Sequence, residues 1–174
     1  MDFWQVLENR YSVREFDLSM GVSPETVERL LTAAIQAPSA GNRQPWHFYV
    51  VRDPAVRRAL AAAAYGQEFV SQAPVAFVVC ADAEQSAGRY GQRGRELYCL
   101  QDTAAAIEHI LLAAAALGLG GCWVGAFDEQ SASRALNLPR RHRPVAIVPI
   151  GKPASTPSAR TRRQSLESVT TYVG

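Results

Sequence analysis

From Ile110 to Phe127 the chain runs eighteen residues without a charged side chain, the lower limit of length for a helix that crosses a bilayer. Its composition divides it in two. Ile110 to Leu117 continues a helical pattern that begins near Asp102, with Ala104, Ile107, Ile110, Leu111 and Ala114 inward, whereas Gly118, Gly120 and Gly121 punctuate it and Cys122-Trp123-Val124 starts something else. The stretch reads as a buried helix followed by a short buried strand from Cys122 to Phe127, and no membrane segment is expected. Both pieces need an interior to lie in, and a chain of 174 residues can bury about 70% of the surface it exposes when unfolded.

The remaining pattern supplies that interior. After Pro74, Val75 to Cys80 is a continuous apolar run of strand length, and His47 to Arg52 and Val145 to Ile150 are β-rich. Ser23 as cap, Pro24 at the first helical position, then Val27, Leu30, Leu31, Ala34 and Ile35 mark a helix ending near Ala37-Pro38. Shorter helices are expected over Asp2 to Asn9, with Phe3, Val6 and Leu7 on one side, from Asp53-Pro54 to about Ala64, and from Asp128 to Leu136. Helices and strands alternate, so the architecture is expected to be helices packed on a central sheet. The expected organisation is one domain over 1–174, with 152–174 as an arm: Lys152 to Arg163 is rich in Pro, Ser, Thr and Arg and lacks apolar periodicity.

Several function classes drop out on composition. Cys80, Cys99 and Cys122 are an odd number without C-x-x-C spacing, which disfavours a disulfide scaffold, a zinc ribbon and a thioredoxin motif; each reads as a small buried hydrophobe. The N-terminus lacks a basic n-region, so a cytoplasmic setting is expected. A net charge of +2 gives no field that predicts nucleic-acid binding. The basic residues are 17 arginines against one lysine, Lys152, beside 28 alanines, a bias that fits both phosphate chemistry and genome composition. G-x-S-x-G, H-E-x-x-H and the P-loop are absent, and a dinucleotide fingerprint at Gly118-Leu119-Gly120 fails because Trp123 stands where a third glycine belongs. His47, His109 and His142 lie on separate elements and read as surface or core residues.

Two polar clusters remain in non-periodic segments. In Arg10-Tyr11-Ser12-Val13-Arg14 two guanidinium groups flank a hydroxyl just beyond a helix, which suits a phosphate monoester and equally fits a solvated turn. Ala37 to Trp46 is a tightly specified turn presenting Ser39, Asn42 and Gln44; its amides can serve a heterocycle edge, or the segment can be a plain helix-to-strand connection.

At these residues the chain resembles the nitroreductase family. Four parts occur in order: R-x-S-x-R (Arg10, Ser12, Arg14), A-P-S-x-x-N-x-Q-P-W (Ala37 to Trp46), L-G-L-G-G-C-W-V-G-A-F (Leu117 to Phe127), and a basic arm ending in Arg162-Arg163-Gln164-Ser165-Leu166-Glu167. The resemblance implies an α+β fold with a central mixed, mainly antiparallel sheet flanked by helices, a C-terminal arm extending onto the partner subunit, and a homodimer with shared FMN sites. Arg10 and Ser12, with Arg162 or Arg163, would hold the FMN phosphate and ribityl chain, with Tyr11 and Gln44 among the contacts, and Arg14 would lie at the pyrimidine edge. Pro38, Ser39, Ala40 and Asn42 would come from the partner. Gly125 and Ala126 would line the flavin near N5, with Trp123 and Val124 packing the ring.

Departures are Tyr11, where many relatives have a basic residue or His, Ala40 in place of a second serine, and Gly125 where larger relatives are acidic. Arg89 to Leu97 is the region expected to vary with substrate, as an NAD(P)H phosphate site or a solvated basic loop. The implied reaction is hydride transfer from NAD(P)H through FMN to a nitroaromatic, quinone or related small-molecule acceptor, by ping-pong. Left open beside it are a dedicated transformation, such as flavin fragmentation, dehalogenation or dehydrogenation, and a non-catalytic FMN-binding protein.

Overall fold

The structure, a computed structural model, describes residues 1–155 and 161–174. Its centre is β2 (Val75–Asp82), in which all eight residues are buried. Period-two alternation points Val75, Phe77 and Val79 to one face and Ala76, Val78 and Cys80 to the other, and each set joins a different apolar cluster. β1 (Trp46–Val51) pairs along one edge of β2 and β4 (His142–Gly151) along the other, and β3 (Gly120–Gly121) pairs with β4. All three pairings are antiparallel, in the order β1-β2-β4-β3, with a register shift between Val79 and Cys80. A single parallel bridge, Ser12 to Gly121, adds the mixed character.

Helices cover both faces. On one, α2 (Pro24–Ala34) and α6 (Cys99–Ala116) press Leu30, Ile107 and Ile110 against Phe77 and Val148. On the other, α3 (Pro54–Ala63), α4 (Phe69–Gln72) and α7 (Glu129–Leu136) bring Leu60, Val70 and Ala132 to Val78 and Ile147. Burying each large side chain contributes about 1.5–3 kcal/mol. The starts are capped as the sequence specifies: Ser23 accepts from Thr26, Asp53 from Ala55 and Asp128 from Ser131, each cap contributing about 1 kcal/mol. Asp2 and Gln5 form a reciprocal capping box at α1 (Phe3–Asn9).

Four expectations are corrected. The strand expected over Cys122 to Phe127 shrinks to Gly120–Gly121 plus a lone bridge from Val124 to Ile147, because the segment pairs regularly with the free edge of β4 only at those points. α6 begins at Cys99 rather than Asp102, and Ala106 rather than Ala104 is buried. Of the apolar side of α1 only Val6 is buried, while Phe3 and Leu7, like Ile35 after α2, face outward. Arg89 to Leu97 is helical, not a loop. α5 (Ala83–Arg93) reverses at Gly91, whose φ is 55°, and a π-helical turn (Gly94–Tyr98) leads into α6. A Cβ on Gly94 would come within 2.7 Å of the Ser86 carbonyl oxygen, so glycine lets the two arms of this hairpin touch. Beyond β4, a short helix α8 (Leu166–Val169) is exposed.

Candidate functional site

α1 ends where the Arg10 N–H donates to the Val6 carbonyl at 2.9 Å, and the chain then runs extended. It is fixed there by backbone bonds: Val13 donates to Gly121 at 3.0 Å, Asp17 to Lys152 at 2.8 Å, and Ala154 to Glu15 at 3.0 Å. Alternation places Arg10, Ser12 and Arg14 on one face and buries Val13, 3% exposed, on the other. Gly120 makes this approach sterically feasible, since a Cβ there would meet Val13, while one on Gly121 would press instead on Ile150 and the Pro149 carbonyl of β4.

Beneath that face lies the Cys122 thiol. Burial pushes it up from its ordinary value, opposed by Arg14, a Ser12 hydrogen bond and Arg10. Cys122 is 3% exposed and packs in one apolar cluster with Val124 and Phe127, the small buried hydrophobe expected from the sequence. Arg14 sits 5.9 Å over the Phe69 ring, and Arg10 lies 4.0 Å from Glu108. Tyr11 turns away and donates its hydroxyl to the Ser155 carbonyl at 2.9 Å. A cavity of about 410 Å³ opens beside Arg10, bounded by Gly118 to Gly121 and Lys152 to Ser155, and one of about 270 Å³ includes Ser12 and Arg14.

The third segment closes on the same place. Val124 is buried and exchanges hydrogen bonds with Ile147 at 2.9 and 3.0 Å. Gly125 and Ala126 are exposed beyond it, and a Cβ on Gly125 would meet nothing within 4 Å. Gln67 donates to the Ala126 carbonyl at 3.2 Å, tying this segment to the turn before Phe69. Gln67 and Phe69 carried no signal in the sequence. Arg162 and Arg163 are exposed on the arm, and Arg160 lies outside the described residues.

The Pro38 to Gln44 turn is built independently. Gly41, Asn42 and Gln44 have φ of 54°, 54° and 50°, interrupted by Arg43 at −74°, left-handed positions that glycine and asparagine tolerate and glutamine adopts only under constraint. The constraint is visible: Ser39 Oγ accepts from Gln44 N–H at 2.9 Å, and Gln85 donates to the carbonyls of Arg43 and Gln44 at 2.6 and 3.2 Å. Ala40 N–H donates to Asp102 Oδ1 at 3.0 Å. Asp102 is buried, its Oδ2 has no partner, and burial raises its carboxyl above the usual range against the pull of the Ala40 N–H. Pro38, Asn42 and Gln44 are exposed, and Ser39 and Ala40 half-buried. Among the described residues no hydrogen bond or ion pair joins this turn to Arg10–Arg14. The two touch α6 at Asp102 and Glu108, about 9 Å apart along a helix.

The sequence pattern of the Nitroreductase family matches residues 7–67 and 61–152. The chain belongs to the nitroreductase family. It is 34% identical over 159 residues to a Thermus thermophilus protein named NADH dehydrogenase, covering 75% of this chain and 78% of that one. It is also 36% identical over 154 residues to a Rhodospirillum rubrum 5,6-dimethylbenzimidazole synthase, covering 76% and 73%. A crystal structure of a nitroreductase family protein from Clostridium novyi superposes with a TM-score of 0.81 at 31% identity, covering 92% and 89%. The nitroreductase fold thus accounts for the antiparallel sheet and both helical layers.

Away from this site, His47 and His142 stack at 4.2 Å and Tyr49 hydroxyl meets His142 Nδ1 at 2.6 Å. Among the described residues no group of side chains is arranged to hold a metal ion, and no helix is long and apolar enough to cross a membrane.

Proposed function

We propose that this nitroreductase family chain works as a cytoplasmic, FMN-dependent oxidoreductase, one domain over 1–174 whose arm, 152–174, crosses onto a partner in a homodimer with two shared sites. Relatives named for NADH or NAD(P)H oxidation support the coarser statement, that the chain is an NAD(P)H-dependent oxidoreductase. The observation that carries the flavin reading is the shared face of Arg10, Ser12 and Arg14, on which Ser12 and Arg14 are exposed and line one cavity of about 270 Å³. Beside it the open surface at Gly125 leaves room for a planar ring. When bound, FMN supplies the two-electron chemistry between NAD(P)H and a nitroaromatic, quinone or related acceptor in ping-pong order.

The chain's own residues supply binding and electrostatics. Arg10 and Ser12, with Arg162 or Arg163, would hold the phosphate and ribityl chain, with Tyr11 steadying the segment from behind. Arg14 would set a fixed cation at the pyrimidine edge, where reduction places negative charge. Val124, Gly125 and Ala126 would line the ring, and Pro38, Ser39, Ala40, Asn42 and Gln44 would be contributed by the partner. Cys122 stays a neutral thiol under this face, because burial raises its pKa, so it serves as packing and not as a nucleophile.

The test is reconstitution with FMN, followed by anaerobic addition of NADH and NADPH. A yellow complex bleached by either donor is expected, and Arg14→Gln should weaken flavin retention roughly tenfold or more while leaving the fold intact. Absence of both complex and FMN-dependent NAD(P)H oxidation overturns the reading. A second reading, a dedicated flavin-dependent transformation, is favoured by the likeness to the 5,6-dimethylbenzimidazole synthase. Slow turnover with every general acceptor would select it.

A further inference from the structure

The helical hairpin of α5 and the π-helical turn carries three arginines whose surroundings differ. Arg95 is held by Glu84 through bonds of 2.7 to 3.0 Å. Arg93 donates to the Tyr98 hydroxyl at 2.9 Å and lies 5.3 Å over that ring. Arg89 is exposed and sits 5.5 Å over Tyr90, and no hydrogen bond or ion pair engages it among the described residues. The neighbouring acids are already committed, Glu84 to Arg95 and Glu96 to the Gln92 amide at 2.9 Å. Behind the arginines, Tyr90 and Tyr98 meet edge to face at 5.2 Å.

This hairpin abuts the Pro38 to Gln44 turn. A Cβ on Gly41 would meet the Tyr90 hydroxyl and come within 3.1 Å of an Arg89 guanidinium nitrogen. The one uncommitted cation of the hairpin therefore borders the turn that the flavin reading places at the ring. We propose that Arg89, backed by the Tyr90–Tyr98 pair, binds a phosphate of the nicotinamide donor, with the tyrosines offering an aromatic surface to its adenine. A guanidinium fork matches phosphate oxygens, and an arginine without an internal anion gives up no existing bond to make that contact. This rests on the flavin reading and goes beyond it by naming what holds the donor.

The experiment uses the full chain reconstituted with FMN and compares Arg89→Gln with Arg58→Gln, an exposed arginine on α3. Arg89→Gln should raise the KM for the donor about 5- to 10-fold, with kcat within about twofold and flavin retention unchanged, and Arg89→Lys should recover part of the loss. A rise confined to NADPH assigns the contact to the 2′-phosphate, and an equal rise for NADH and NADPH assigns it to the pyrophosphate. Unchanged KM for both donors, or an equal rise in Arg58→Gln, overturns the proposal while leaving the flavin reading standing. Wild-type protein that retains no FMN overturns the flavin reading itself, a separate and earlier result.

Discussion

Gly121→Ala places a methyl group against β4 at the residue whose carbonyl accepts from Val13 of the Arg10–Arg14 segment. The new Cβ would meet Ile150 Cδ1, lie 2.8 Å from the Pro149 carbonyl oxygen and 3.3 Å from Leu111 Cδ2. Ile150 can turn a terminal methyl, but the Pro149 oxygen belongs to β4 and cannot rotate away. Ordinary carbon contacts lie at about 3.5–4.0 Å, so β3 must move by roughly half an ångström or more. Overpacking of this kind costs about 1–3 kcal/mol, and stretching the Val13 to Gly121 hydrogen bond adds about 1 kcal/mol. A loss near 3 kcal/mol corresponds to a fall in Tm of about 6–12 °C at this chain length. Urea unfolding at one fixed protein concentration measures it. Gly125→Ala is the control: its Cβ meets nothing within 4 Å, so stability should stay within about 0.5 kcal/mol, yet FMN affinity should fall if the ring packs on that surface. Equal stability of Gly121→Ala and wild type would refute the steric reasoning, and unchanged FMN affinity in Gly125→Ala would count against the site.

The other expected outcomes follow from individual side chains. Asp102 keeps its proton above the ordinary carboxyl range, so its contribution favours the fold at low pH and is lost as pH rises through the raised value. Asp102→Asn keeps an acceptor for Ala40 N–H, and the urea midpoint of the variant relative to wild type should rise between pH 4 and pH 8; a flat difference would show that burial of this carboxylate is harmless. His142 behaves oppositely: burial, then His47 and Arg141, lower its pKa against the pull of Asp82. The neutral ring's contribution is present above about pH 6.5 and lost as pH falls through the lowered value, so wild type should lose more stability than His142→Gln on going from pH 7 to pH 5, which thermal melts at each pH would show.

What could be read from the sequence was what the backbone dictates locally. Ser23-Pro24, Asp53-Pro54 and Asp128 each specify a helix start through one side chain or one ring, and all three appear. The run at Val75 is apolar on both faces because helices cover both, and it became the central strand. The failures are residues whose placement is decided by distant chain. Cys122 to Phe127 has the composition of a strand, but it meets β4 only through a Cys122 N–H to Pro149 carbonyl bond of 3.4 Å and the Val124–Ile147 bridge. Arg89 to Leu97 has no apolar period to reveal a helix, because that hairpin is held by the Glu84–Arg95 pair and a glycine contact. His47 and His142 are nearly a hundred residues apart and meet only through the register of three strands. The candidate site divides in the same way: order and spacing singled out Arg10, Ser12 and Arg14, whereas Gln67 and Phe69 near them could be found only by folding the chain.

The outward apolar residues carry the last prediction. Phe3 and Trp4 on α1 are 61% and 72% exposed, and Leu166, Val169, Tyr172 and Val173 on the arm are 78%, 61%, 93% and 94% exposed. Exposed apolar side chains of this kind are available to a second protein face, and among the described residues no hydrogen bond or ion pair joins the Pro38 to Gln44 turn to the Arg10–Arg14 face. If a second copy covers both, then Leu166→Asp, which should cost a lone chain almost nothing at so exposed a position, should shift sedimentation from dimer toward monomer. Flavin retention should fall in parallel. A variant that becomes monomeric yet keeps FMN as tightly as wild type would show that each site is complete within one chain.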